Sequence, residues 1–210
     1  YLTCIVAGVD SRFKFAMPVY GCGFLRENSV WKASEFGKMN QAQSDKWHKL
    51  WDPSSYLASA RMPVAFINGT NDFAYPMDSY AKSCALVRTE KNYSMQLRMR
   101  HGHIVDFPEY FPLLGQDLKG GVPMPVVSSP GLKAGQLIAQ VKASTKLISA
   151  RLHYTTGSHT ENKARPWTTK NLAVDGHSIK GDSPPKEATA WYVDLTDERK
   201  VLVSSQVMVR

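Results

Sequence analysis

Apolar positions along the chain follow two different periods. In the first part, short apolar runs alternate with stretches spaced for helices. Leu2, Ile5, Val6 and Val9 recur at helical spacing and predict a helix over YLTCIVAGVD. FKFAMPVYGCGF is an apolar run ending in glycines, the pattern of a buried strand meeting a loop. Residues 28–51 are charged and aromatic-rich. Trp31, Phe36, Trp47 and Trp51 stand there at irregular spacing, which reads as a helical excursion covering something. MPVAFING predicts the next buried strand. PMDSYAKSCALVRT predicts a helix with Pro76 at its start and Tyr80, Cys84 and Val87 on one face. YSMQLRM alternates as a strand, and PEYFPLLGQDLKGG holds a short helix that its glycines stop.

Beyond GGVPMPVVSSPG, a Pro/Gly/Ser-rich stretch, the period is two. QLIAQVKA, SARLHYTT, ATAWYVDL and VLVSSQVMV are strand-like, separated by polar, turn-rich segments such as TGSHTENKARPW and KGDSPP. The expected fold class is therefore α/β with a parallel sheet and flanking helices over residues 1–118. A linker over 119–131 and a small antiparallel β-sandwich over 132–210 follow. Three strands leave the parallel sheet open on one flank, so some of its strands are expected to lie elsewhere.

Composition narrows the function classes. The 210 residues are 43% hydrophobic and 10% aromatic, enough for a real core. No apolar run approaches the roughly 18 residues of a membrane span. YLTCIVAGVD lacks an initiator Met and a cleavage-site pattern, and looks like the interior of a longer sequence. Net charge is +8, from 26 Lys and Arg against 18 Asp and Glu, leaning towards the C-terminal part. No basic run interleaves with aromatics, which argues against nucleic-acid binding. Cys4, Cys22 and Cys84 form neither a metal-ligand spacing nor an even disulfide framework, and are expected to be buried.

The chemistry concentrates at two strand ends. In open parallel sheets, ligands bind beyond the carboxyl ends of the strands. Asp72 lies just past the strand end in FINGTNDFAYP, where it could orient a histidine, cap the helix at Pro76 or close an Asx-turn. His101 and His103 stand beyond the next strand, in RHGHIVDF. Acid and then base after successive strands is the chain order of α/β-hydrolases. His101 is the favoured base, coming first off the strand, and His103 is the alternative. A metal site from His101, His103 and Asp106 is disfavoured, because three ligands so close on one loop rarely close a tetrahedral shell. No G-x-S-x-G occurs in the chain. Cys22 follows the wrong strand for a nucleophile, so a packing or pocket role is expected of it.

YLTCIVAGVDSRFKFAMPVYGCGFL, DPSSYL, MPVAFINGTNDFAYPMDSY and HGH together resemble bacterial α/β-hydrolases of the acetylxylan esterase and dienelactone-hydrolase-like group. The resemblance covers about residues 1–118, the C-terminal half of the hydrolase sheet. It implies that Asp72 is the triad acid and His101, or else His103, the base. It also implies that the nucleophilic Ser and the oxyanion-hole amides lie just upstream of Tyr1, so that this chain alone is inactive. Tyr20, Cys22, Trp31, Phe73 and Tyr75 are the expected substrate contacts. The implied substrate is an acylated carbohydrate or other small ester, with no cofactor and no metal. The implied partner is the missing N-terminal half of the domain, and the implied location secreted or periplasmic. Two alternatives stand beside this. One is a degenerate, non-catalytic hydrolase with a carbohydrate- or partner-binding β-sandwich, with Trp167 and Trp191 as platform candidates. The other is a prolyl-oligopeptidase-type peptidase.

Overall fold

The computed structural model describes residues 1–99, 101–102, 108–157 and 163–210. His103 and Asp106 therefore lie outside the described residues. The fold is mixed α and β, and the chain divides into two compact units. The first comprises Tyr1–Lys91 with Arg98–His101, the second Asn92–Leu97 with Gly102–Arg210.

The first unit is organised around β1, Val64–Gly69, whose six residues are all buried. The FKFAMPVYGCGF run, expected as a strand, pairs with β1 only through two parallel bridges, Ala16 with Val64 and Val19 with Ile67. Pro18 lies between them and has no N–H to donate, so the pairing is interrupted. Helix α1 spans Leu2–Val9 and buries Cys4 and Ala7. Helices α2 (Leu25–Asn28), α3 (Trp31–Ser34) and α4 (Gln41–Trp51) form the excursion that the irregular aromatic spacing foretold. Asn40 fixes the start of α4 with a reciprocal capping box: Gln43 N–H donates to its side chain, and its own N–H donates to Gln43 Oε1. Helix α5, Met77–Leu86, follows β1 and buries Met77, Tyr80 and Cys84. The edge of the Tyr80 ring meets Phe66 of β1, with centroids 6.0 Å apart.

Asp52 knits this unit together. Its carboxylate is fully buried and accepts from Phe24 N and Leu25 N at 2.9 Å, Ser54 N at 2.8 Å and the Ser54 hydroxyl at 2.6 Å. The loop it holds carries Phe24 in the left-handed region, at φ 60°. Gly23 passes so close that a Cβ there would lie 2.6 Å from Asp52 Oδ1. Charge-assisted bonds to backbone amides compensate a buried carboxylate, and here they lock the start of α2.

In the second unit, β2 (Lys91–Gln96) precedes α6 (Tyr110–Lys119), which ends at Gly120 in the left-handed conformation. The remaining strands are β3 (Val126–Val127), β4 (Gly131–Lys133), β5 (Gln136–Lys142), β6 (Leu147–Thr155), β7 (Thr168–Asp175), β8 (Ser178–Asp182), β9 (Ala190–Asp197), β10 (Leu202–Ser204) and β11 (Met208–Val209). They run β2-β10-β9-β6-β7-β8-β5-β3, with β11 on β9 and β4 on β5, and the pairs within this unit are antiparallel. Strand β5 alternates buried and exposed as its sequence pattern requires, whereas β9 is almost wholly buried. KGDSPP does not begin as a turn: Lys180, Gly181 and Asp182 are the end of β8, held opposite Ile138, Leu137 and Gln136 of β5. Their polarity hid a strand whose ladder bonds depend on backbone groups alone.

Replacing Asp52 with Ala leaves the amides of Phe24, Leu25 and Ser54 without their acceptor. Denaturant unfolding should show a loss of about 3 kcal/mol, whereas Asp175→Ala on the exposed β7 should leave the unfolding midpoint essentially unchanged.

Candidate active site

The acid loop begins where β1 ends. Asn68, Gly69 and Thr70 are followed by Asp72, which is 2% exposed. Its Oδ1 accepts from the backbone amides of Ala74 and Tyr75, both at 2.8 Å. These bonds make the loop an Asx-type turn leading to Pro76, the N-cap of α5. The other oxygen faces His101, whose Nδ1 lies 2.6 Å from Asp72 Oδ2. Capping and histidine contact therefore coexist on one carboxylate, each using its own oxygen.

The segment carrying His101 is tied to the acid loop directly. Arg98, at φ 54°, donates its N–H to Thr70 Oγ1 at 2.9 Å. Gly69 gives room for Met99: a Cβ at that position would lie 2.7 Å from the Met99 carbonyl oxygen. With its Nδ1–H given to Asp72, the imidazole keeps Nε2 for another partner, and about a third of the side chain is open to solvent.

Three rings frame the imidazole. Tyr20 stacks on it at 4.4 Å between centroids, Phe73 tilts against it at 4.9 Å, and Tyr75 lies near-parallel at 6.1 Å. Tyr20 has φ 64°, a sterically costly conformation for an aromatic residue, and its amide is fixed to the Ile67 carbonyl at 2.9 Å. Strained backbone here sets a ring face against the histidine. Burial pushes the Tyr75 hydroxyl well above its ordinary pKa, so it stays protonated.

Next to Tyr75 lies a cavity of about 430 Å³. Trp31 lines it, 5.4 Å from the Tyr75 ring, with Phe36 and Trp47 in edge contact at 4.8 Å. Tyr1, at the N-cap of α1, lines the same cavity, and a Cβ on Gly21 would lie 1.9 Å from Tyr1 N. The start of α1 is thereby held at the cavity wall.

Of the expected site residues, Asp72, His101, Tyr20, Phe73, Tyr75 and Trp31 come together in this one region. Cys22 does not reach solvent. It is fully buried, and burial raises its thiol well above the ordinary value, with Cys4, Cys84, Asp52 and Asp72 pushing the same way. In the second unit Trp191 is 6% exposed and carries the Arg210 guanidinium over its ring at 4.6 Å, so it presents no open platform. Trp167 packs edge-on against Tyr192 at 5.7 Å. Sequence reasoning missed Glu35 and Met39 of the cavity and the organising role of Asp52. The motif DPSS did carry a signal, since Asp ahead of Pro-Ser is a capping pattern. Among the described residues, no group of three or more His, Cys, Asp or Glu gathers as a metal site, and no helix is long and apolar enough to cross a membrane.

No protein-family model matches the chain, and no curated protein matches it. Among solved structures, a Cellulomonas fimi endo-β-1,4-mannanase double mutant aligns at a TM-score of 0.27 and 16% identity, over 69% of this chain and 39% of that one. A likeness at that level carries no argument about either fold or activity.

The three cysteines are free and buried, so Ellman's reagent should find no reactive thiol in the native chain and three in denaturant. Burial raises Cys4 from 9.0 to about 11, and raises Cys22 and Cys84 as well. Between those pH values the native chain binds more protons than the unfolded one. Stability supplied by these thiols is thus intact below pH 9 and should fall as pH rises towards 11, measured by denaturant midpoints across that window.

Proposed function

We propose that residues 1–118 are the C-terminal part of a serine hydrolase of α/β-hydrolase type, with Asp72 as orienting acid and His101 as general base. The observation that carries this reading is the 2.6 Å contact between Asp72 Oδ2 and His101 Nδ1, on a carboxylate whose other oxygen is pinned by two amides. An imidazole held in this way has a fixed tautomer and direction. Its Nε2 would take the proton of an attacking serine hydroxyl and return it to the leaving alcohol, while the buried Asp72 stabilises the imidazolium between those steps.

The serine and its oxyanion-hole amides would come from sequence ahead of Tyr1. The placement of α1 supports this, because its N-cap residue lines the cavity that Tyr75 shares with the imidazole's surroundings. A nucleophile on a turn entering α1 would approach from that side. In this reading residues 132–210 are an appended antiparallel domain of the sandwich type. The substrate is an acyl ester, with the sequence resemblance favouring acylated carbohydrate. An amide substrate would draw on the same acid–base pair, so a peptidase of the prolyl-oligopeptidase type is the second chemistry for the site.

The test uses the longer polypeptide carrying the residues that precede Tyr1, assayed on p-nitrophenyl acetate. His101→Ala and Asp72→Asn should each lower kcat by roughly 10³-fold or more, with KM little changed. The chain from Tyr1 onward should show no acyl-enzyme burst. Hydrolysis that persists in the Asp72→Ala, His101→Ala double variant would refute the assignment.

A further inference from the structure

The cavity beside Tyr75 has a lining with a specific chemistry. Five aromatic side chains, those of Tyr1, Trp31, Phe36, Trp47 and Tyr75, surround it together with Leu25 and Met39. Glu35 is the one charged side chain among the described residues that joins them. Among the described residues no lysine, arginine or histidine side chain lines the cavity, although the chain as a whole carries a net charge of +8. Among the described residues Glu35 makes no ion pair, and its carboxylate has no hydrogen-bond partner. The ring contacts hold the aromatics at angles to one another, Trp31 to Tyr75 at 59° and Phe36 to Trp47 at 79°, so ring faces and edges line several directions. The volume of about 430 Å³ lies within the ordinary range of small-ligand pockets, roughly 300–1,000 Å³.

Three kinds of guest can be compared against that lining. A neutral acyl chain would gain from the rings and gain nothing from Glu35, whose carboxylate it would partly strip of water. A pyranose would stack on a ring and then need several directed hydrogen bonds for its hydroxyls, where the described lining is mostly apolar and offers Glu35 and the polar tips of its tyrosines and tryptophans. A methylated ammonium uses everything present: its positive methyls face the negative ring faces, and the carboxylate supplies the counter-charge without requiring a donor. Attraction of a desolvated cation to such rings is worth about 0.5–2 kcal/mol, and the nearby carboxylate adds to it.

We propose that this cavity is a binding site for a quaternary or methylated ammonium group, held by Trp31, Trp47 and Tyr75 and neutralised by Glu35. The claim concerns binding alone and does not require the acid–base roles of Asp72 and His101. Where both hold, the preferred ester is cationic, with its ammonium end in the aromatic cavity.

Tryptophan fluorescence gives the readout, since Trp31 and Trp47 line the cavity. The intact chain is titrated with choline and, in parallel, with 3,3-dimethylbutan-1-ol, which has the same shape and no charge. Choline should quench saturably, with an affinity about tenfold or more above that of the neutral alcohol. Glu35→Gln, at an exposed position, should weaken choline several-fold and leave the alcohol unchanged, with far-UV circular dichroism unaltered. Trp31→Leu should weaken choline more than it weakens the alcohol. Equal affinity for the two compounds, choline binding untouched by Glu35→Gln, or no saturable quenching by choline would each overturn the proposal. None of these readings depends on hydrolysis, so the hydrolase assignment can fail while this one stands, or the reverse.

Discussion

A buried carboxylate with both oxygens committed is the constraint on which the site depends. Asp72 stands at the exit of a fully buried strand, where water cannot solvate its charge. Two amides of its own loop satisfy one oxygen, and the imidazole of His101 satisfies the other. If the loop opened, the carboxylate would lose the amides. If the histidine segment moved away, it would lose the ring. The carboxylate therefore couples the shape of the acid loop to the position of the base, though the two come from segments nearly thirty residues apart in the chain.

The surrounding structure protects that coupling in layers. The bond from Arg98 N to Thr70 and the close pass of Met99 over Gly69 deliver His101 to its place. Tyr20, in a costly backbone conformation, covers one face of the imidazole, and Phe73 and Tyr75 limit its other approaches. Asp52 plays the same organising part a short distance along the chain, holding the loop from Gly23 to Leu25 through backbone amides. Both carboxylates do architectural work, but only Asp72 also meets a titratable ring at hydrogen-bond distance.

Much of this was legible in the sequence, for reasons that particular residues make plain. MPVAFING is continuous, β-branched and apolar, so β1 could be read at once, and Pro76 marked the start of α5. The polar turn after a buried strand, with two histidines after the next strand, pointed to Asp72 with His101 or His103 as its partner, and His101 Nδ1 lies 2.6 Å from Asp72 Oδ2. The cavity was harder. Its rings come from α3, the turn at Phe36 and α4, and the spacing of those rings has no period because the chain changes direction between them. The polar strands β7 and β8 were hidden for a related cause. Strand β7 is exposed along nearly its whole length, so no alternation marks it, and it exists through ladder bonds to β6 and β8. Asp52 was overlooked in its wider role because DPSS signals only the local cap, whereas its bonds to Phe24 N and Leu25 N reach backbone amides that carry no sequence signature.

The central claim is that Asp72 holds His101 by its Nδ1–H and leaves Nε2 available. Nitrogen-15 and proton NMR of the imidazoles tests this most directly. The account predicts a low-field, exchange-protected Nδ1–H resonance assigned to His101, lost in both His101→Ala and Asp72→Ala, with Nε2 unprotonated in the neutral ring. A His101 ring protonated on Nε2, or an Nδ1–H resonance that survives Asp72→Ala unshifted, would contradict it.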